Sequence, residues 1–140
     1  GCGFIGRLTW GAISDRIGGL MTLSSSSTLQ LASLSIFIFV DSLPGLYAAS
    51  AMFGFAFAGI VPSYSIVIRE LFSLNEVGRR IGVVYFFTYV GMALGSLIGG
   101  VAFDLTGSYT AAFVIGVISN LVNLSLVVPL TIRQKRWREV

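Results

Sequence analysis

The sequence predicts an all-α, polytopic membrane helix bundle, and three observations support this fold class. Only 11% of the 140 residues are charged and 55% are hydrophobic, whereas a soluble domain is about one quarter charged. Four uncharged runs of 20 to 23 residues follow one another along the chain. Strand-like alternation of polar and apolar residues is absent, and unpaired backbone groups are costly in lipid, so each run should be a helix.

The predicted elements are one partial span, four full spans and a tail. At 1.5 Å rise per residue, about 20 residues cross the ~30 Å hydrocarbon layer. Because residue 1 already lies in a helix-like segment, we expect the chain to be a fragment of a longer protein. The partial span covers about residues 1–12, the full spans cover 21–40, 46–68, 81–103 and 110–132, and the basic tail covers 133–140.

Basic residues fall in alternate loops, which predicts the orientation of the bundle. Eight of the nine Lys and Arg residues lie in Asp15–Gly19, Arg69–Arg80 and the tail, and the ninth, Arg7, lies near the first of these loops. Short basic loops face the cytoplasm, so we expect a cytoplasmic C-terminus in a plasma or bacterial inner membrane. The tail then serves as an orientation signal that touches anionic lipid, and we expect no nucleic-acid partner.

Charged residues on this same side form the first candidate site, a cytoplasmic gating network. The stretch from Gly6 to Gly18 is expected to place its motif residues in a tight turn after the first helix. An alternative is that these charges only set topology. The proposed network comprises Gly11, Asp15, Arg16, Gly18, Glu70, Arg79 and Arg80.

Polar and small residues inside the spans give two further predictions. Tyr64, Tyr85 and Tyr89 are candidate lining residues of a substrate cavity, although tyrosines also hydrogen-bond between helices. Asn120 and Asn123 are expected to join helices to each other. The tandem GxxxG of Gly91, Gly95 and Gly99 predicts close packing of the third span.

The residue inventory disfavours an enzyme. Cys2 is the only cysteine and the chain has no histidine, so an internal disulfide is impossible and the commonest metal ligand and neutral-pH acid–base group is missing. We therefore expect no catalytic residues, no metal and no cofactor.

Three motifs together resemble the major facilitator superfamily. The first is G-x-I-S-D-R-x-G at Gly11–Gly18, similar to the signature cytoplasmic loop of that family. The second comprises Gly59, Pro62, Tyr64 and Glu70, followed by Gly78-Arg79-Arg80 and Gly82. The third is the tandem glycine motif continued by FDLTGSYTAAF from Phe103 to Phe113. The chain is similar to the C-terminal portion of bacterial monocarboxylate and oxalate-formate carriers, from the end of helix eight to helix twelve; placement at helices two to six is the alternative.

The resemblance implies a function. It implies a secondary active transporter of a small organic solute, such as an organic anion or monocarboxylate, that works by alternating access. The alternatives are a drug or metabolite efflux permease of the same superfamily and a non-transporting membrane anchor or assembly subunit. Implied partners are the lipid bilayer, the solute and the missing N-terminal half.

The resemblance also implies a role for the charged motif. Asp15 would face a helix N-terminus of the other half while the cytoplasmic side is closed, and Arg16 would pair with Glu70. The family usually has a basic pair after the second glycine of the motif, where this chain has Gly19-Leu20. The resemblance therefore implies gating roles for Asp15 and Arg16 but not for the residues after Gly18.

Overall fold

The chain forms five α-helices and no strand within residues 2–138, the part that this computed structural model describes. Side chains are described for residues 3–134; residues 139 and 140 of the predicted tail lie outside the described part. The helices are α1 (Cys2–Ile17), α2 (Gly19–Phe39), α3 (Leu43–Leu71), α4 (Leu74–Thr106) and α5 (Thr110–Arg138). The predicted all-α membrane bundle is confirmed.

Four helices, α2 to α5, are long and apolar enough to cross a membrane, with mean hydropathies of 1.2 to 2.2. The helices extend beyond their apolar parts. The predicted loop Arg69–Arg80 is mostly helical, since α3 ends at Leu71 and α4 begins at Leu74. A helix satisfies its backbone hydrogen bonds internally, so it can continue beyond its apolar run.

The turn predicted around the charged motif is much shorter than expected. Gly11, Asp15 and Arg16 all lie within α1, and Gly18 alone separates α1 from α2. Gly18 adopts φ 86°, a conformation open to glycine, and its N–H donates to the Ser14 carbonyl at 2.8 Å. The expectation of a turn containing all four residues was wrong, because nothing before Gly18 interrupts the helix.

The α1–α3 interface is held by two glycines and one tryptophan. A Cβ atom at Gly6 would lie 2.8 Å from the Ala58 Cβ, and one at Gly59 would lie 2.6 Å from the Trp10 Cγ. The buried Trp10 ring donates its Nε1–H to the Phe55 carbonyl at 3.0 Å. These contacts place the backbones of α1 and α3 close together at the middle of α3.

A polar seam joins α2 to α5. The Ser24 and Thr131 hydroxyls are 2.8 Å apart, and the Asn123 amide donates to the Ser27 hydroxyl at 3.2 Å. The predicted interhelical role of Asn123 is thereby confirmed. Lipid provides no hydrophobic drive for helix association, so these bonds help to fix the α2–α5 pairing. The helix α4 lies at the edge, with no buried residue among those described.

We expect Gly59→Ala to lower the melting temperature of the full-length protein, because the new methyl group overlaps the Trp10 ring. Overpacking of this kind costs about 1–3 kcal/mol. The matched control is Gly54→Ala on the same helix, where a Cβ atom meets nothing within 4 Å. Both changes bring the same gain in helix propensity, so equal melting temperatures for the two variants would contradict the packing described here.

Candidate functional site

An arginine lies in a hollow beside the middle of α3. This arginine hollow has a volume of about 380 Å³. Arg7 comes from α1 and Tyr85 and Tyr89 come from α4, while α3 contributes the apolar wall. The lining residues are Arg7, Phe57, Ala58, Val61, Pro62, Tyr85 and Tyr89.

Arg7 lies far from the C-terminal end of its helix. It is ten residues before Ile17, the last residue of α1, which is about 15 Å along the helix axis. Its neighbour Phe57 is the central residue of α3, which runs from Leu43 to Leu71. The expectation that Arg7 lies near a loop was wrong, because the motif after it is helix and not turn.

Two of the three predicted cavity tyrosines share this hollow with Arg7. The Tyr85 hydroxyl is 2.7 Å from the Ser65 hydroxyl and 3.4 Å from the Val61 carbonyl. Tyr89 is 63% exposed. The exposed guanidinium of Arg7 beside these phenol groups can offer charge-assisted hydrogen bonds to an anion.

The third tyrosine, Tyr64, lines a separate cavity of about 490 Å³ between α2, α3, α4 and α5. We call it the amide cavity, because Asn120 and Gln30 form part of its wall. The Asn120 amide donates to the Gln30 carbonyl oxygen at 2.7 Å, which confirms the predicted interhelical role of Asn120. The other polar lining residues are Thr88, Ser119 and Asn123. Gln30 was missed in the sequence, where it follows the hydroxyl-rich run Ser24–Thr28.

One carboxylate joins three helices at the basic end of the bundle, the end where Arg16, Arg69 and Arg133 lie. Glu70 Oε1 accepts a hydrogen bond from the Gly19 N–H at 3.1 Å, and its Oε2 accepts one from the Gln134 amide at 3.3 Å. Gly18 provides no side-chain cap for α2. Helix N-termini have free N–H groups and favour anions, so Glu70 caps α2 from α3.

Glycine at position 19 makes this cap possible. A Cβ atom there would lie 2.9 Å from the Val67 backbone nitrogen. The first residue of α2 can therefore lie against α3 only without a side chain. Glu70 then reaches the Gly19 N–H from the next turn of α3.

The remaining charges of the predicted network are distributed differently. Arg80 pairs with Glu76 at 2.7 Å, one helical turn away, and lies 3.8 Å from the centre of the Phe72 ring. Asp15, Arg16 and Arg79 are exposed. Among the described residues no basic group lies within 4.0 Å of the Asp15 carboxylate, so its role stays a prediction. Gln134 was missed, and so was the pairing of Glu76 with Arg80, although its i, i+4 spacing is a signal.

The tandem glycines have no close helix partner in the described part of the chain. A Cβ atom at Gly91 or Gly95 would meet nothing within 4 Å, and one at Gly99 would meet only the Ala112 Cβ at 3.9 Å. Close packing at this stripe therefore stays a prediction.

Comparison with known proteins identifies the family. A family model described as the Major Facilitator Superfamily matches residues 2–139. The chain belongs to this superfamily. The match covers nearly the whole chain, including all five helices.

Several curated transporters are similar to the chain. Monocarboxylate transporter 13 of Rattus norvegicus is 30% identical over 113 residues, which are 79% of this chain and 26% of the relative. The multidrug efflux pump Tap of Mycobacterium tuberculosis is 32% identical over 108 residues, 76% of this chain and 26% of the relative. The MFS-type transporter opdF of Penicillium oxalicum is 27% identical over 98% of this chain and 33% of its own length. No solved structure matches.

The chain thus spans about a quarter to a third of the length of these relatives.

We expect Glu70→Ala to destabilise the protein by about 1–2 kcal/mol, because the α2 N-terminus loses its cap. Glu70→Gln keeps an oxygen for the Gly19 N–H and should lose less. The measurement is the melting temperature of the purified full-length protein. The matched control is Glu76→Ala, which removes an exposed ion pair worth less than about 1 kcal/mol. A Glu70→Ala loss no larger than that of the control would contradict the capping role.

Proposed function

We propose that this chain is part of a secondary active transporter that moves a small organic anion, such as a monocarboxylate, by alternating access. The observation that carries the proposal is Arg7, which lies beside the middle of α3 in a hollow with Tyr85 and Tyr89. The family membership supports the transporter class, and one relative is named a monocarboxylate transporter.

Arg7 supports an anionic solute on energetic grounds. A charged side chain within the membrane is costly, faces a water-filled cavity or a partner, and marks a solute or ion path. Among the described residues, no carboxylate lies within 4.0 Å of Arg7. A solute carboxylate in the arginine hollow would supply the missing negative charge and accept two hydrogen bonds from the guanidinium.

The test is uptake of radiolabelled monocarboxylates by the full-length protein in proteoliposomes. We expect Arg7→Gln to reduce uptake at least tenfold, because a charge-assisted hydrogen bond is worth about 1.5–3 kcal/mol. Arg7→Lys should retain part of the activity. The matched control is Arg133→Gln, an exposed arginine on α5, which should transport normally. Unchanged uptake by Arg7→Gln would contradict the proposed anion site.

A second candidate function is efflux of apolar drugs. It is favoured by the apolar part of the amide cavity wall, which includes Phe53, Phe57 and Met92, and by the similarity to the pump Tap. Transport of a neutral dye that persists in Arg7→Gln, with no carboxylate uptake by the wild type, would favour this alternative. A non-transporting anchor would show neither activity.

The proposal extends to the gate at the basic end. The alternation of basic loops supports a cytoplasmic position for this end and for the C-terminal tail. There Asp15 would contact a helix N-terminus of the N-terminal half while the cytoplasmic side is closed. Its exposed position in the last turn of α1 leaves the carboxylate available for such a contact.

We expect Asp15→Asn to reduce transport several-fold without loss of expression, because the neutral amide interacts more weakly with a helix N-terminus. The readout is uptake per amount of protein in the membrane. Asp104→Asn, at the opposite end of the bundle on α4, is the control and should transport as the wild type does. Normal transport by Asp15→Asn would contradict the proposed contact between Asp15 and the N-terminal half.

A further inference from the structure

A pocket with an apolar wall and a cationic rim lies at the basic end of the bundle, between α2, α3 and α5. Its volume is about 320 Å³. Leucines from all three helices form the wall, and α5 adds one arginine and one glutamine. We call it the leucine pocket, and its lining residues are Leu20, Leu71, Leu130, Arg133 and Gln134.

The height of the leucine pocket corresponds to the surface of a membrane. The helix α2 begins at Gly19 and α3 ends at Leu71, while the uncharged run of α5 ends at Ile132. The polar headgroups of a bilayer lie just outside its hydrocarbon layer. Arg133 therefore lies at the headgroup level, and Leu130, about one helical turn before it, lies at the level of the acyl chains.

The wall of the pocket leaves apolar surface uncovered. Leu71 and Leu130 are each 51% exposed, although Leu20 beside them is buried. A hydrocarbon chain lying against these leucines would remove that surface from water, which is favourable in proportion to the area covered.

The rim of the pocket carries a positive charge that the described fold does not neutralise. No carboxylate of residues 3–134 lies within 4.0 Å of the Arg133 guanidinium. The carboxylate of Glu70 contacts the next residue, Gln134, and the Gly19 N–H instead. An anion at this rim would gain charge-assisted hydrogen bonds from Arg133. Three further basic residues follow in the sequence, namely Lys135, Arg136 and Arg138.

We infer that the leucine pocket binds an anionic phospholipid. The lipid phosphate accepts hydrogen bonds from the Arg133 guanidinium, whose planar fork matches phosphate oxygens, and one acyl chain lies against the leucines. A free phosphate ion would use the charge alone, whereas a phospholipid uses both the charge and the apolar wall. The pocket shares no lining residue with the arginine hollow or the amide cavity, so this lipid site is separate from the proposed solute site.

The test is a lipid titration of the purified full-length protein in neutral detergent, followed by native mass spectrometry. Phosphatidylglycerol and phosphatidylcholine with the same acyl chains are compared for binding of the first lipid molecule. We expect phosphatidylglycerol to bind about five- to tenfold more tightly, because the choline headgroup adds a positive charge near the basic rim. The chain-free headgroup glycerophosphoglycerol should not bind measurably over the same concentrations, because it cannot cover the leucine wall.

Variants assign the lipid to this pocket. Arg133→Gln should weaken phosphatidylglycerol binding about five- to tenfold and leave phosphatidylcholine binding unchanged. Leu130→Trp fills the pocket without changing its charge and should weaken binding of both lipids, and Leu71→Trp provides a second such variant if the first fails to fold. The control is Arg69→Gln, which removes the same charge from an exposed arginine outside the pocket and should keep the preference.

The outcomes either support or overturn the lipid site. Equal affinity for the two lipids, or phosphatidylglycerol binding that Arg133→Gln or the tryptophan variant leaves intact, would overturn it and leave Arg133 as a charge that only sets topology. Binding of the chain-free headgroup as tight as that of the lipid would indicate a site for a soluble phosphate. Binding of neither lipid would indicate that another part of the full-length protein covers the pocket. None of these measurements uses the transported solute, so the proposed function is tested separately.

Discussion

The close contact between α1 and the middle of α3 is the constraint on which the rest of the structure depends. Gly6 and Gly59 remove the side chains that would hold the two backbones apart, and the Trp10 N–H fixes their relative height through the Phe55 carbonyl. Because α1 is held at this height, Arg7 lies beside the centre of α3. The arginine hollow exists only in this arrangement.

Two charged residues occupy contrasting places in the bundle, since Glu70 joins helix ends and the exposed Arg7 lies beside the middle of α3. At the basic end, Glu70 caps α2 and also contacts α5, so a single carboxylate holds the ends of three helices together. The field at a helix N-terminus makes this favourable without a basic side chain. Arg7 has no comparable role in the described fold.

Much of the fold could be predicted from the sequence, because the apolar runs specify helices by length and hydropathy alone. The interhelical roles of Asn120 and Asn123 were also predictable, since deep polar groups in a membrane bundle seek partners on other helices. The ends of the helices were less predictable. Arg69 suggested a loop, yet α3 continues to Leu71 because helical hydrogen bonds are local.

The candidate sites were only partly predictable. The sequence grouped Tyr64, Tyr85 and Tyr89 as candidate lining residues of one cavity, but the structure places Tyr64 in the amide cavity and the other two in the arginine hollow. By itself, the sequence determined the helices, their number and their membrane setting, because each follows from short-range hydrogen bonding and the transfer of apolar side chains into lipid. Only the tertiary structure decided which polar groups meet, as Gln30 and Asn120 do across 90 residues. The rotation and height of each helix depend on packing against partners that are distant in the chain.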